Sequence, residues 1–169
     1  MMASTHITLG FSSYILLQSM ISKSNIFPLS DFSIPGLIEI FFLFLGCVIV
    51  DIDHPKSYVG NKLSFLSIPI SSIFGHRGIT HSMVGLLVFI TIIYFLSGYF
   101  TSYQSHATFA FMIGYVAHLL ADYSTNSGIP ILWPLKAKFV SPFVMKTGSS
   151  SEHFFSMGAL FVMLIFLFV

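Results

Sequence analysis

This sequence predicts an all-α fold: a polytopic transmembrane helical bundle of four to five spans, with an interfacial helix and a re-entrant or interfacial loop. Three observations carry that expectation. Only 8% of the residues are charged against 55% hydrophobic, where soluble domains carry roughly a quarter charged. Mean hydropathy is +0.89. Long apolar runs recur through all 169 residues, separated by stretches rich in Ser, Gly and Pro. The length suits one domain, residues 1–169. A formal net charge of +1 leaves no broad basic surface for nucleic acid. The single cysteine, Cys47, excludes an intrachain disulfide framework and reads as a small residue in an apolar run.

A bilayer core asks for about 20 apolar residues per helix. Five stretches approach this: Thr5–Ile21, Ile34–Val50, Ser82–Phe100, His106–Tyr123 and Phe154–Val169. The first carries Ser12, Ser13 and Gln18 and the fifth ends with the chain, so these two are the weakest. The first residues lack a basic n-region and a cleavage site and are read as mature structure. In Lys62–Phe74, apolar residues alternate with serines and Pro69 intervenes, which suits a bent helix lying in the membrane interface. The 124–153 linker holds two short proline-rich apolar segments, Ile129–Pro134 and Phe139–Phe143, and Trp133 with Lys136 and Lys138 reads as a headgroup-level anchor. On five spans, Lys56, Lys62, Arg77, Lys136, Lys138 and Lys146 share one side and Lys23 stands opposite. The positive-inside rule then makes the long-linker side cytoplasmic.

Chemistry collects on that same side. Gly75-His76-Arg77-Gly78-Ile79-Thr80-His81-Ser82 concentrates two histidines and the only arginine in eight residues. Its glycines free the backbone to turn, and Thr80 or Ser82 can cap the apolar run that follows. His118 and Asp122 are four apart, hence on one helix face, as two ligands of one ion need to be. Asp51 and His54 are three apart at a span end, and Pro55 turns the chain so that Asp53 can swing inward. His6 opens the first span and Glu152 precedes the last.

Asp and His near hydrocarbon are unfavourable without a partner, and a cation supplies one. Mixed His and carboxylate donors without thiolate suit Zn²⁺, Mn²⁺ or Fe²⁺. The donors exceed one tetrahedral sphere, so the expectation extends to two or three ions. Such sites hydrolyse phosphoesters. The competing bland readings are a solvated helix-end cluster at Asp51, Asp53 and His54, and a hydrogen-bonded pair at His118 and Asp122.

The motifs Asp51-Ile52-Asp53-His54-Pro55, Gly75–Ser82, Gly114–Asp122 and Gly128–Pro134, with His6, Gly10 and Glu152, resemble the YdjM-like inner-membrane metal-dependent hydrolases, over about His6 to Gly158. The resemblance implies a bacterial, membrane-bound, metal-dependent protein, grouped distantly with zinc phospholipase C and its single-strand nuclease relatives. Those relatives are helical and hold three zinc ions with His and Asp, including a His-x-x-x-Asp helix like His118–Asp122.

The expected function is therefore a metal-dependent hydrolase at the cytoplasmic face of the bacterial inner membrane, acting on a phosphoester of a lipid or lipid-linked substrate. Its metal ligands are expected to be His6, Asp51, Asp53, His54, His76, His81, His118 and Asp122. Asp51 or Asp53 is expected to act as general base, Arg77 to clamp phosphate, and Thr80, Thr125 and Glu152 to orient ligands from behind. The alternative is a metal-ion transporter or metal-sensing membrane protein. Transporter sites tend toward the bilayer midplane, however, and these donors gather at one face. No His-Glu-x-x-His motif points to a metalloprotease.

Overall fold

The structure, a computed structural model, describes residues 1–22, 34–100, 104–135 and 137–168. Lys23, Lys136 and Val169, which entered the expectations above, lie outside the described residues. The architecture is helical: α1 (Ala3–Ser22), α2 (Ile34–Ile49), a 3-10 turn (Val50–Asp53), α3 (Tyr58–Lys62), α4 (Ser64–Phe74), a second 3-10 turn (Ile79–His81), α5 (Met83–Phe100), α6 (Gln104–Tyr123) and α7 (Ser150–Phe168). Two isolated bridges, Thr125 with Met145 and Ile129 with Phe139, tie together the long loop before α7.

The helices occupy the five apolar stretches, but the expectation that they span a membrane is not met. Among the described residues, no helix is long and apolar enough to cross one. The physical reasons differ by helix. α2 has 16 residues and α5 has 18, about 24 and 27 Å at 1.5 Å per residue, against a hydrocarbon core of about 30 Å. α1 and α6 have 20 each, but they turn polar residues into the bundle: Thr5, His6, Ser12 and Gln18 on α1, His118 and Asp122 on α6, all buried. α7 opens on Ser150-Ser151-Glu152-His153 before its apolar run. The predicted polytopic bundle falls, and with it the interfacial placement of α4 and of the Trp133 loop. The charge count that made one face cytoplasmic loses its basis, because it counted loops between spans.

α6 is the central element. It packs against α1, α2 and α5, while α1 packs in turn against α7. Its buried positions run nearly round the helix, from Ala107 to Asp122, as expected for a helix covered on several sides. Phe111, Tyr115 and Leu119 meet Val50, Leu86, Ile93 and Ile129 in one apolar cluster. Tyr14, Leu43, Ala110 and Ile113 form another.

The α2–α6 crossing sets the position of the functional residues, and two glycines permit it. A Cβ on Gly114 would overlap the Leu43 carbonyl oxygen, and one on Gly46 would overlap the Phe111 carbonyl oxygen. Neither obstacle is a flexible side chain. Gly114→Ala should therefore destabilise the protein by about 1–3 kcal/mol, the usual penalty of overpacking. Thermal unfolding checks this, and an unchanged midpoint would mean the helices do not approach so closely.

Candidate metal centre

Three turns of chain converge under the α2–α6 crossing. The first is the 3-10 turn ending α2, which holds Asp51 and Asp53. His54, just before Pro55, is extended at φ −114°, ψ 101° and stops the turn there. The second is the loop after α4. Gly75 (φ 75°) and Arg77 (φ 57°) both adopt left-handed backbone, the latter at roughly 1–3 kcal/mol for a non-glycine residue. The loop then tightens into the 3-10 turn that presents His81. The third is the last turn and a half of α6, with His118 and Asp122.

Asp51, His81, His118 and Asp122 each offer one donor atom, and these atoms all lie within 4.8 Å of one another. His81 Nε2 is 3.3 Å from Asp122 Oδ2 and 3.7 Å from Asp51 Oδ1. His118 Nε2 is 3.6 Å from Asp51 Oδ1 and 4.0 Å from Asp122 Oδ2. Tetrahedral ligands around a small divalent ion, at bonds of 2.0–2.2 Å, stand on the order of 3.4 Å apart. The four histidine–carboxylate distances, 3.3–4.0 Å, lie near that spacing.

The imidazoles are also oriented as ligands. His118 Nδ1 lies 2.7 Å from the Cys47 carbonyl oxygen, which can only accept, so Nδ1 carries the proton and Nε2 the lone pair. His81 Nδ1 lies 3.1 Å from Asp53 Oδ2, a carboxylate–histidine pair of the kind that fixes ligating imidazoles. Both Nε2 atoms are buried and have no hydrogen-bond partner. Buried polar atoms left unpaired are rare and ask for an explanation. A cation among these four donors supplies it, so the residues present fit a divalent ion.

Asp53 stands behind His81 rather than among the four donors. It is fully buried and accepts from Thr80 Oγ1 at 2.6 Å and from the Gly78 amide at 3.2 Å. His76 Nδ1 approaches its other oxygen at 3.3 Å. His76 is itself 44% exposed and stacks on His54, ring centroids 4.4 Å apart. These two histidines sit at the surface, outside the four-donor group. His6 lies closer: buried, stacked on His118 with centroids 3.7 Å apart, and 3.6 Å from Asp122 Oδ1 through Nε2.

Arg77 does not stand free. Nη1 donates to Thr125 Oγ1 at 2.8 Å and to the Gly128 carbonyl at 3.1 Å, and Nη2 pairs with Asp122 Oδ2 at 2.9 Å. Thr125 Oγ1 in turn donates to the Asp122 carbonyl. Glu152 touches none of the four donors. It accepts from the amides of Met2 and Gly148, both at 2.7 Å, and so joins the starts of α1 and α7.

Three contributors escaped the sequence reading. The Cys47 carbonyl and the Met1 amine, 2.8 Å from Asp122 Oδ1, are main-chain groups with no side-chain signature. Tyr115, whose hydroxyl donates to the Thr80 carbonyl, was legible in principle, since it lies three residues before His118 on the same helix face.

Electrostatics follow from this packing. Burial alone would raise the Asp51 carboxyl, but His81 and the neighbouring imidazoles bring it down to about 2. Burial holds His118 and His6 below the ordinary histidine value. His81 goes the other way. Burial opposes its charge, but the carboxylates of Asp122, Asp51 and Asp53 around its ring overcome that and raise it to about 10. Without metal, His81 is an imidazolium that offsets the carboxylates. A folded value above the unfolded one means this stabilisation is complete below about pH 6.5 and is lost as pH rises through about 10. A ligating imidazole must be neutral, so metal uptake between pH 7 and 9 should release about one proton from His81. Calorimetry in buffers of different ionisation heat counts it, and uptake without proton release would exclude His81 as a ligand.

A family described as "YdjM inner membrane protein" matches residues 1–169. The chain is 40% identical over 121 residues to "Inner membrane protein YdjM" of Escherichia coli (strain K12) and equally to its Shigella flexneri counterpart, covering 70% of this chain and 60% of each relative. It is 38% identical over 109 residues to "Uncharacterized protein YvsG" of Bacillus subtilis (strain 168), covering 64% of this chain and 65% of the relative. The chain thus spans under two thirds of the length of these relatives. No solved structure matches. On the full-length family match and these identities, the chain belongs to the YdjM inner membrane protein family.

Proposed function

We propose that this protein resides at the bacterial inner membrane and is a hydrolase dependent on a divalent metal, Zn²⁺ first, cleaving a phosphoester of a lipid or lipid-linked substrate. One observation carries the metal half: two buried, unpaired Nε2 atoms whose opposite ring nitrogens are anchored, facing two carboxylates at ligand spacing. The names of the relatives support the location. When bound, such an ion acidifies water and offsets negative charge gathering on a phosphoryl oxygen.

The chain's own residues divide the remaining work. Asp122, His81 and His118 are at most 1% exposed, whereas the Asp51 side chain is 26% exposed. Asp51 borders a cavity of about 20 Å³, with His6, Ser57 and Tyr58 among the residues around it, enough for about one water. On this reading Asp51, the most exposed of the four donors, also takes a proton from water. Asp53, fully buried and surrounded by donors, orients His81. Arg77 holds Asp122 and is itself held by Thr125 and the Gly128 carbonyl.

Elemental analysis of detergent-purified protein, with a phosphoester and phospholipid panel, tests the proposal. About one transition-metal equivalent or more, and hydrolysis abolished by chelation and restored by metal, is the expected result. A metal-free, fully stable protein would remove the site. Retained metal with no hydrolysis, together with Zn²⁺ or Mn²⁺ movement into vesicles, would replace the hydrolase with a transporter.

A further inference from the structure

Beside the metal centre lies a second feature that the four donors do not use. A cavity of about 590 Å³ opens between the C-terminal end of α4, the Gly75–Gly78 loop and the Pro130–Pro134 turn. Ligand pockets commonly run from about 300 to 1,000 Å³. Its walls are of two kinds. Ile73, Phe74, Trp133 and the prolines are apolar, with Phe74 and Trp133 packed edge to face at 5.9 Å. His76, Arg77 and Lys138 are basic or imidazole groups, and no carboxylate lines the cavity among the described residues.

Arg77 is common to both places: it lines the cavity and its Nη2 pairs with Asp122. Three of its five N–H groups are engaged by Thr125, Gly128 and Asp122, which leaves two donors for an anion. At Gly75, where a Cβ would meet nothing within 4 Å, the wall is open.

We propose that this cavity binds the phosphoester head of an amphiphile, with the phosphate between Arg77, His76 and Lys138 and the first part of the apolar chain against Phe74, Ile73 and Trp133. The charge pattern selects the anion, because a polar wall of a guanidinium, an ammonium and an imidazole, with no carboxylate among the described lining residues, offers donors and positive charge and no negative partner. The apolar wall selects a chain attached to it. This deepens the hydrolase reading and rests on it for the fate of the ligand, but not for its binding. Phosphate as a free ion and phosphate on a lipid share the head chemistry; only the second uses the aromatic wall.

The test uses full-length protein in a neutral maltoside detergent with metal removed by chelation, so that hydrolysis plays no part. Trp133 is the only tryptophan, and its emission reports the cavity. Octyl phosphate, inorganic phosphate and octyl glucoside are titrated, with calorimetry alongside. Octyl phosphate should give a saturable change and heat, at least about tenfold tighter than inorganic phosphate, since burying two methylenes suffices for that factor. Phe74→Ala should erase most of that advantage. Lys138→Glu, at an exposed position, should weaken octyl phosphate on the order of fivefold. Equal affinity for octyl glucoside would make the cavity a plain apolar groove and overturn the proposal. Equal affinity for inorganic phosphate, or no saturable signal in either measurement, would overturn it as well. Binding that persists in a protein shown to hydrolyse nothing would leave this site standing and remove the hydrolase. Metal-dependent hydrolysis without octyl phosphate binding would do the reverse.

Discussion

Asp122→Ala is expected to produce the largest single loss, removing metal and destabilising the fold together. One oxygen of Asp122 pairs with Arg77 at 2.9 Å and faces His81 Nε2 at 3.3 Å, and the other takes the Met1 amine at 2.8 Å. Truncation leaves a guanidinium that is only 10% exposed, and an imidazolium at His81, short of a carboxylate. Breaking a buried pair from one side costs about 3–5 kcal/mol, and metal binding energy that contributes to folding is lost in addition. Thermal unfolding with and without chelator separates the two contributions. In wild type, chelation should lower the midpoint; in Asp122→Ala the midpoint should already be low and insensitive to chelator. A variant that still loses stability on chelation would place the ion away from Asp122.

How much of this was legible in the sequence varies with the kind of contact involved. His118 and Asp122 were readable as a pair because helical geometry fixes their spacing without help from the rest of the fold. The glycines around His76 and Arg77 announced a turn, and Pro55 announced the stop after Asp53. The bringing together of Asp51, His81, His118 and Asp122 was legible only as a shared end of the chain's helices. The choice among eight candidate donors was not. Which face of a 3-10 turn points inward depends on packing against α6 and on Ser57, which donates to the Asp51 carbonyl at 2.8 Å. No periodicity encodes that contact. Membrane spanning was the expectation that composition misled. A mean hydropathy of +0.89 averages over the whole chain, whereas crossing a bilayer is decided helix by helix, by length and by where the polar positions fall. Arg77 shows the same limit on a smaller scale. Its place between two histidines suggested an anion clamp, while its contact with Asp122 needed the α6 backbone to be in position.

Asp51 and Asp53, two residues apart and indistinguishable in the sequence, should respond differently to the same change. Asp53 accepts from Thr80, Gly78 and His81 and approaches His76, all while fully buried. In Asp53→Asn the anchor loses its charge, and the amide nitrogen must face either His76 or the Thr80, Gly78 and His81 side, so the hold on His81 weakens. Removing such a support typically lowers metal affinity about 10–100-fold. Activity should then return when metal is supplied in excess. Asp51 borders the water-sized cavity and holds one of the four donor atoms. Asparagine there preserves shape but cannot take a proton, so the rate should fall on the order of 10²–10⁴-fold and stay low at saturating metal. The paired measurement is activity against metal concentration for both variants. Recovery of Asp51→Asn by metal, with Asp53→Asn remaining inactive, would exchange the two roles and put the proton acceptor behind His81, at a carboxylate already approached by four groups.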